Sequence, residues 1–145
     1  MNFSVNNIYP DSADQLVSIQ KNDGFSHVYY LTKERLEKLF SNGEEFFGAF
    51  TDNKLIGFIS INTDVVRMRI HFLSVDQQFQ RKGVASILLK HILLIAKEKK
   101  IRNVYVYTEI ESPLEVFLLK NRFIKVGYFK KRFRDKDANI LSIYL

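Results

Sequence analysis

Apolar positions along the 145-residue chain recur at two periods, and the switches between them lay out the elements. Phe3, Val5 and Ile8 begin an apolar-rich segment that reads as a first strand, ended by Pro10. Asp11 and Ser12 stand as caps for a helix from Ala13 to about Lys21. After a polar loop, Thr32, with Glu34 and Arg35 close behind, opens a second helix to about Phe40, stopped by Asn42-Gly43. Two β-rich runs follow, Glu45–Thr51 and Leu55–Asn62, with Asp52-Asn53-Lys54 as a short hairpin loop. Val65 to Val75 continues as a strand in which Arg67, Arg69 and His71 alternate against Met68, Ile70 and Phe72. The alternation breaks at Phe72-Leu73, and a β-bulge is one way to break it.

Gly83 to Lys100 is the strongest helix, with Ala85, Leu88, Leu89, Ile92 and Ala96 recurring at spacings of three and four. Ile101–Tyr107 is then a strand, Pro113–Lys120 a short helix with proline in its first turn, and Phe123–Phe133 with Ile140–Leu145 a terminal hairpin. The fold class is mixed α/β: a central, mostly antiparallel sheet of about seven strands flanked by about four helices. Only two prolines occur, and there is no repeat, low-complexity tract or linker, so residues 1–145 read as one domain.

Composition narrows the chemistry. With no cysteine, thiolate catalysis, disulfides and thiolate-bound zinc are excluded; three scattered histidines (His27, His71, His91) make a metal site unexpected. The N-terminus lacks the pattern of a signal peptide, and the longest apolar stretch, around Ile87 to Ala96, is too short to span a membrane, so a cytoplasmic location is expected. The net charge of +6 favours anionic partners. Its excess falls in two clusters, Lys97 to Arg102 and Lys125 to Lys136, which read as solvated surface; no RNA-recognition or zinc-finger spacing supports nucleic-acid binding. Tyr128, Phe129 and Phe133 interleave with the second cluster, and they read rather as the alternating face of a terminal hairpin.

One segment carries chemistry. Val75 to Ala85 joins a strand to the best helix. Free backbone N–H groups and the dipole of a helix N-terminus attract phosphate where the chain allows close approach. Gly83 and Ala85 clear that approach, and Arg81 and Lys82 add positive charge. Taken alone, the same residues also fit an ordinary loop and helix start.

Gln80-x-x-Gly83-x-Ala85 resembles the Gln/Arg-x-x-Gly-x-Gly/Ala motif of the GNAT N-acetyltransferases. Glu115 to Phe123 is similar to that family's later segment, and the likeness runs from roughly Asn53 to Leu145. The resemblance implies acetyl-CoA as co-substrate. Backbone groups of Leu73, Ser74 and Val75 would pair with the pantetheine arm, and the N–H groups of Arg81, Lys82, Gly83, Val84, Ala85 and Ser86, beside Gln80, would hold the pyrophosphate. The thioester would lie between splayed strands ending near Val75 and Tyr107, with a backbone N–H of Val75 or a neighbour stabilising the oxyanion. Phe117 and Lys120 stand where the last helix touches the cofactor, although core packing explains Phe117 equally well.

The pattern is broken in places. Leu118 occupies the position where the family commonly has a tyrosine that protonates the leaving thiolate; Glu111 and Arg122 replace a frequent Asn and Gly. Another tyrosine (Tyr107 or Tyr128) or a water then supplies the proton, the thiolate leaves unaided, or the chain binds CoA without much catalysis. A free amine must lose a proton before attack. Candidate bases are Glu109, Glu111 and His71, each also readable as a surface or structural residue. Arg67 and Arg69 either recognise a carboxylate on the acceptor or are solvated charge.

The functional expectation is acetyl transfer to a primary amine of a small molecule or peptide in a ternary complex. The alternative is a non-catalytic acyl-CoA-binding module or regulator. The aromatic-rich stretch Asn22 to Thr32 is a candidate wall for the acceptor. No nucleic-acid or membrane partner is expected, and a monomer or a homodimer fits equally.

Overall fold

Seven strands form one sheet, β1 (Ser4–Ile8), β2 (Glu45–Thr51), β3 (Lys54–Thr63), β4 (Arg67–Val75), β5 (Asn103–Glu109), β6 (Ile124–Phe133) and β7 (Lys136–Tyr144). Their order in this computed structural model, which describes residues 2–27 and 29–145, is β1-β2-β3-β4-β5-β7-β6. All neighbours are antiparallel except β4 and β5. Local chemistry fixes the first register. Asp52 and Asn53 both adopt positive φ, 49° and 61°, giving the two-residue turn whose twist matches its strands, with Thr51 opposite Lys54.

Four helices cover the two faces. α1 (Ala13–Lys21) and α2 (Lys33–Ser41) bury Leu16, Ile19 and Leu36 against Ile8, Phe46, Leu55 and Phe58. α3 (Val84–Glu98) and α4 (Pro113–Lys120) set Leu88, Leu89, Ile92, Ala96 and Leu118 against Ile56, Ile59, Met68, Ile70, Val104 and Val106. Complete burial of each large aliphatic side chain contributes about 1.5–3 kcal/mol, so the broad apolar stripe of α3 secures the larger core.

The break in β4 is a bulge, one residue before the apolar pair. Ser60 faces Phe72 and Ile61 faces Ile70, which leaves His71 as the extra residue. Before it, Met68 and Ile70 point into the α3 core; after it, Leu73 and Val75 do, while Phe72 packs on the α1–α2 side. One strand thereby serves both faces out of simple alternation.

Several boundaries differ from the sequence reading. Ser12 occupies the cap position of α1 without a side-chain hydrogen bond, because Pro10–Ser12 forms a 3-10 turn that runs straight into the helix. Thr32 does cap α2, accepting from the Arg35 N–H at 3.1 Å. Gly83 precedes α3 as a left-handed cap and is not part of it. β5 begins at Asn103, two residues late, and β7 at Lys136, four residues early, since Ala138 and Asn139 pair with both β5 and β6. Among the described residues no helix is long and apolar enough to cross a membrane.

Candidate active site

The parallel pair β4–β5 holds for three residue pairs, Arg67–Asn103, Met68–Val104 and Arg69–Tyr105. Beyond Arg69 the strands diverge. The edge of β4 from Ile70 to Val75 that faces β5 has no strand partner there, so its backbone groups border an opening. That opening is part of a cleft of about 920 Å³ that passes from the α3 face to the α1–α2 face.

On the α3 face, backbone shape makes the site. Asp76 caps a 3-10 turn over Gln77–Phe79, accepting from the Gln78 N–H at 3.0 Å. Arg81 (φ 62°) and Gly83 (φ 85°) then turn left-handed. Such turns bring successive N–H groups onto one concave surface, an anion cradle. The first intrahelical bond runs from the Ile87 N–H to the Gly83 carbonyl at 3.0 Å, so the N–H groups of Val84, Ala85 and Ser86 have no intrahelical acceptor. A Cβ on Gly83 would meet nothing within 4 Å; the space beside it is open. Beneath, a Cβ on Gly57 would lie 3.1 Å from the Ser74 carbonyl oxygen and 3.2 Å from Val84, so β3 carries glycine where α3 begins.

Of the cofactor-binding residues expected from sequence, Leu73, Ser74, Val75, Gln80, Arg81, Gly83, Val84, Ala85, Ser86, Phe117 and Lys120 all line this cleft. Lys82 does not. Its Nζ lies 5.8 Å from the centre of the Phe79 ring, and the side chain is exposed. Gln80 works as a staple: its Nε2 donates to the carbonyls of Asp23 at 2.6 Å and Val75 at 2.9 Å. Glu109 and Glu111 also line the cleft, whereas Tyr128 lies outside it, exposed on β6, with its hydroxyl donating to the Asp137 carboxylate. That bond raises the Tyr128 pKa, because it favours the protonated phenol. Leu118 is fully buried in the α3 core. Of the two tyrosines considered as proton donors, only Tyr107 faces the cleft.

The other face is built from side chains, and sequence reading missed the role of Asp23 among them. Asp23, 2% exposed, accepts from the Ser74 hydroxyl at 2.8 Å and the Phe25 N–H at 2.9 Å, and shares a 2.7 Å hydrogen bond with His27 Nε2. Together with the Gln77 N–H, which donates to the Asn22 carbonyl at 2.8 Å, these contacts bolt the α1–α2 loop to the β4–α3 loop. Phe25, Ser26, His27 and Tyr29 of that loop line the cleft and Tyr30 does not; Val28 lies outside the described residues. His71 pairs with the buried Glu44 at 2.8 Å. Arg69 lines the cleft, whereas Arg67 is exposed outside it.

The β5–α4 junction is held by Glu115, 6% exposed. Its carboxylate accepts from the Thr108 hydroxyl at 2.6 Å, the Asn139 amide at 3.0 Å and the Glu111 N–H at 3.1 Å. Burial alone would raise its pKa, but these hydrogen bonds prevail and lower it. Glu111, at φ 64°, is thereby held at the cleft edge. Glu109 is ion-paired with Lys136 at 3.4 Å. Nothing local in the sequence marks Asp23, which meets its hydroxyl partner 51 residues away.

Known proteins share this fold. A sequence model of the acetyltransferase (GNAT) family matches residues 10–115. The structure is similar to that of Ard1 from Thermoplasma volcanium, with a TM-score of 0.89 at 19% identity, covering 100% of this chain and 99% of that one. It is also similar to a PaiA N-acetyltransferase from Thermoplasma acidophilum in complex with coenzyme A, with a TM-score of 0.82 at 21% identity and 100% of each chain covered. A GNAT family acetyltransferase from Elizabethkingia anophelis with acetyl-CoA bound superposes with a TM-score of 0.79 at 20% identity, over 99% of each chain. With the family match spanning most of its length, this chain belongs to the GNAT acetyltransferase family.

Proposed function

We propose that this protein, acting as a single domain over residues 1–145, is a cytoplasmic N-acetyltransferase that moves an acetyl group from acetyl-CoA to a primary amine in a ternary complex. The observation that carries the reading is the divergence of β4 from β5 after three residue pairs, directly beside a glycine-opened helix N-terminus. Structures of similar fold hold coenzyme A or acetyl-CoA. The residues fit that group: open space at Gly83, unpaired N–H groups of Val84, Ala85 and Ser86, and a vacated β4 edge for the amide-bearing arm. Bound there, acetyl-CoA would supply an activated acyl group as a thioester.

The chain's own part is orientation and proton movement. Leu73, Ser74 and Val75 offer a preorganised backbone edge, which costs no reorganisation during reaction. Glu109 or Glu111 at the cleft edge would accept the amine proton. Tyr107, which lines the cleft, would return a proton to the leaving thiolate in place of the tyrosine absent at Leu118. Calorimetric titration with acetyl-CoA and CoA, followed by thiol release with an amine panel, tests this. Saturable binding with amine-dependent thiol release is expected. Failure of the folded protein to bind would overturn the reading, and binding without turnover of any amine would favour the non-catalytic acyl-CoA-binding module instead.

A further inference from the structure

The α1–α2 side of the cleft carries more positive charge than the fold itself uses. The guanidinium carbons of Arg69 and Arg132 lie 4.8 and 5.1 Å from the centre of the Tyr107 ring. Arg35 of α2 joins them over Phe72, at 5.6 Å. All three are half-buried and line the cleft. Among the described residues none of them forms an ion pair with a carboxylate, and the buried Nε of Arg69 has no hydrogen-bond partner.

Of the carboxylates nearby, Glu44 gives one oxygen to His71 at 2.8 Å and its other oxygen bonds to nothing among the described residues, and Glu109 pairs with Lys136 at 3.4 Å. Burial first, then the charge of Arg132, pushes the Arg69 pKa down. Guanidinium nevertheless stays protonated in proteins, so two like charges share a partly dry wall. Fold stability does not call for that arrangement, since a desolvated charge without a partner is destabilising. A planar oxyanion offers a guanidinium fork the partner it lacks here.

We propose that Arg69 and Arg132, with Arg35 beside them, bind an oxyanion on the acceptor, so that the amine acetylated belongs to a molecule also carrying a carboxylate or a phosphate. This rests on the acetyl-transfer reading above. The phosphates of the cofactor are not the ligand of these arginines. Their strand neighbours Met68, Ile70, Val104 and Val106 point into the α3 core, and Arg69 and Tyr107 alternate to the opposite face from the cradle.

The test uses the intact protein, Arg69→Gln and Arg132→Gln, and acceptors matched in all but the oxyanion. Amino acids are compared with their amides, and aminoalkyl phosphates with amino alcohols. Thiol release gives kcat/KM, and calorimetry gives the affinity of each amine for the CoA-saturated protein. A charge-assisted contact of this kind predicts about a tenfold or greater preference for the oxyanion member of the favoured pair, falling to within about twofold in either variant. The carboxylate and phosphate arms show which anion is read. Equal use of both members by the wild type overturns the proposal, as does a substitution that lowers both alike or weakens acetyl-CoA binding itself. Should acetyl-CoA bind and no amine turn over, the catalytic reading fails alone. Calorimetry then decides the arginine site, because oxyanion-dependent binding lost in the variants upholds it and its absence overturns it. Arg69→Lys keeps the charge if the glutamine variant does not fold, and is expected to retain part of the preference.

Discussion

The two faces of the sheet meet at β4 and are made in different ways. On the α3 face the candidate cradle consists of main chain: positive φ at Arg81 and Gly83, the first turn of α3, and a strand edge left open by β5. On the α1–α2 face the wall consists of side chains gathered from distant segments, with Asp23, Ser74 and His27 in one hydrogen-bonded group and Arg69, Tyr107 and Arg132 in another. A backbone site tolerates substitution wherever the fold is kept and no bulk enters it. A side-chain site changes its preference with single replacements, so relatives with the same fold can keep one co-substrate while differing in the other.

The sharpest break is expected at the cradle. Gly83→Glu leaves room for its Cβ but places a carboxylate in the open space and puts a non-glycine residue at φ 85°; acetyl-CoA affinity should fall about a hundredfold or more, with folding cost limited to about 1–2 kcal/mol. Binding that survives would show that the pyrophosphate lies elsewhere. Next is Asp23→Ala, which strands the Ser74 hydroxyl and frees the bolted loop. A loss of about 2 kcal/mol in denaturant unfolding is expected, with weaker acceptor binding and a cradle still able to take CoA. An equal loss of CoA affinity would mean that the two faces are not separable.

Tyr107→Phe should lower kcat by about ten- to a hundredfold if that hydroxyl delivers the proton, whereas Tyr128→Phe should change it little. Equal effects would remove Tyr107 from the chemistry. The smallest effect is a pH signature at the β5–α4 junction. The folded pKa of Glu115 is lowered, so its stabilisation is present above the unfolded value of about 4.3 and is lost as pH falls through the folded pKa. Glu115→Gln should therefore be less stable at pH 7 by about 1 kcal/mol and lose less on acidification than the wild type. Parallel unfolding curves from pH 7 to pH 3 would contradict this.

This division also explains what the sequence made legible. Gln80 to Ser86 can be read because phosphate cradling needs glycine and small residues at fixed local spacing, and turns such as Asp52-Asn53 announce themselves for the same reason. Short helices marked by a polar start or a first-turn proline were found nearly to the residue, as at Ala13–Lys21 and Pro113–Lys120, and the long apolar stripe of α3 to within two residues. The start of β7 was missed because Lys136-Asp137 looks like loop while its pairing is non-local. Lys82 and Arg81 are indistinguishable by charge, yet only the backbone turn decides which one borders the cleft. Asp23, in the turn-like run Asn22-Asp23-Gly24, carries no mark of its buried role, and neither does Arg132 in a basic hairpin. Both acquire meaning only from partners across the fold.

The bulge at His71 gives strand length a significance that side-chain identity does not have. Phe72, Leu73, Ser74 and Val75 each face their present neighbours because one extra residue precedes them. Pairing His71 regularly with β3 while keeping every residue would restore strict alternation, turning Leu73 and Val75 toward α1 and α2 and carrying Ser74 away from Asp23 into the α3 core. A lineage drifting from this sequence could therefore replace nearly every side chain along the strand and keep these facings, yet lose them through a one-residue slip in pairing.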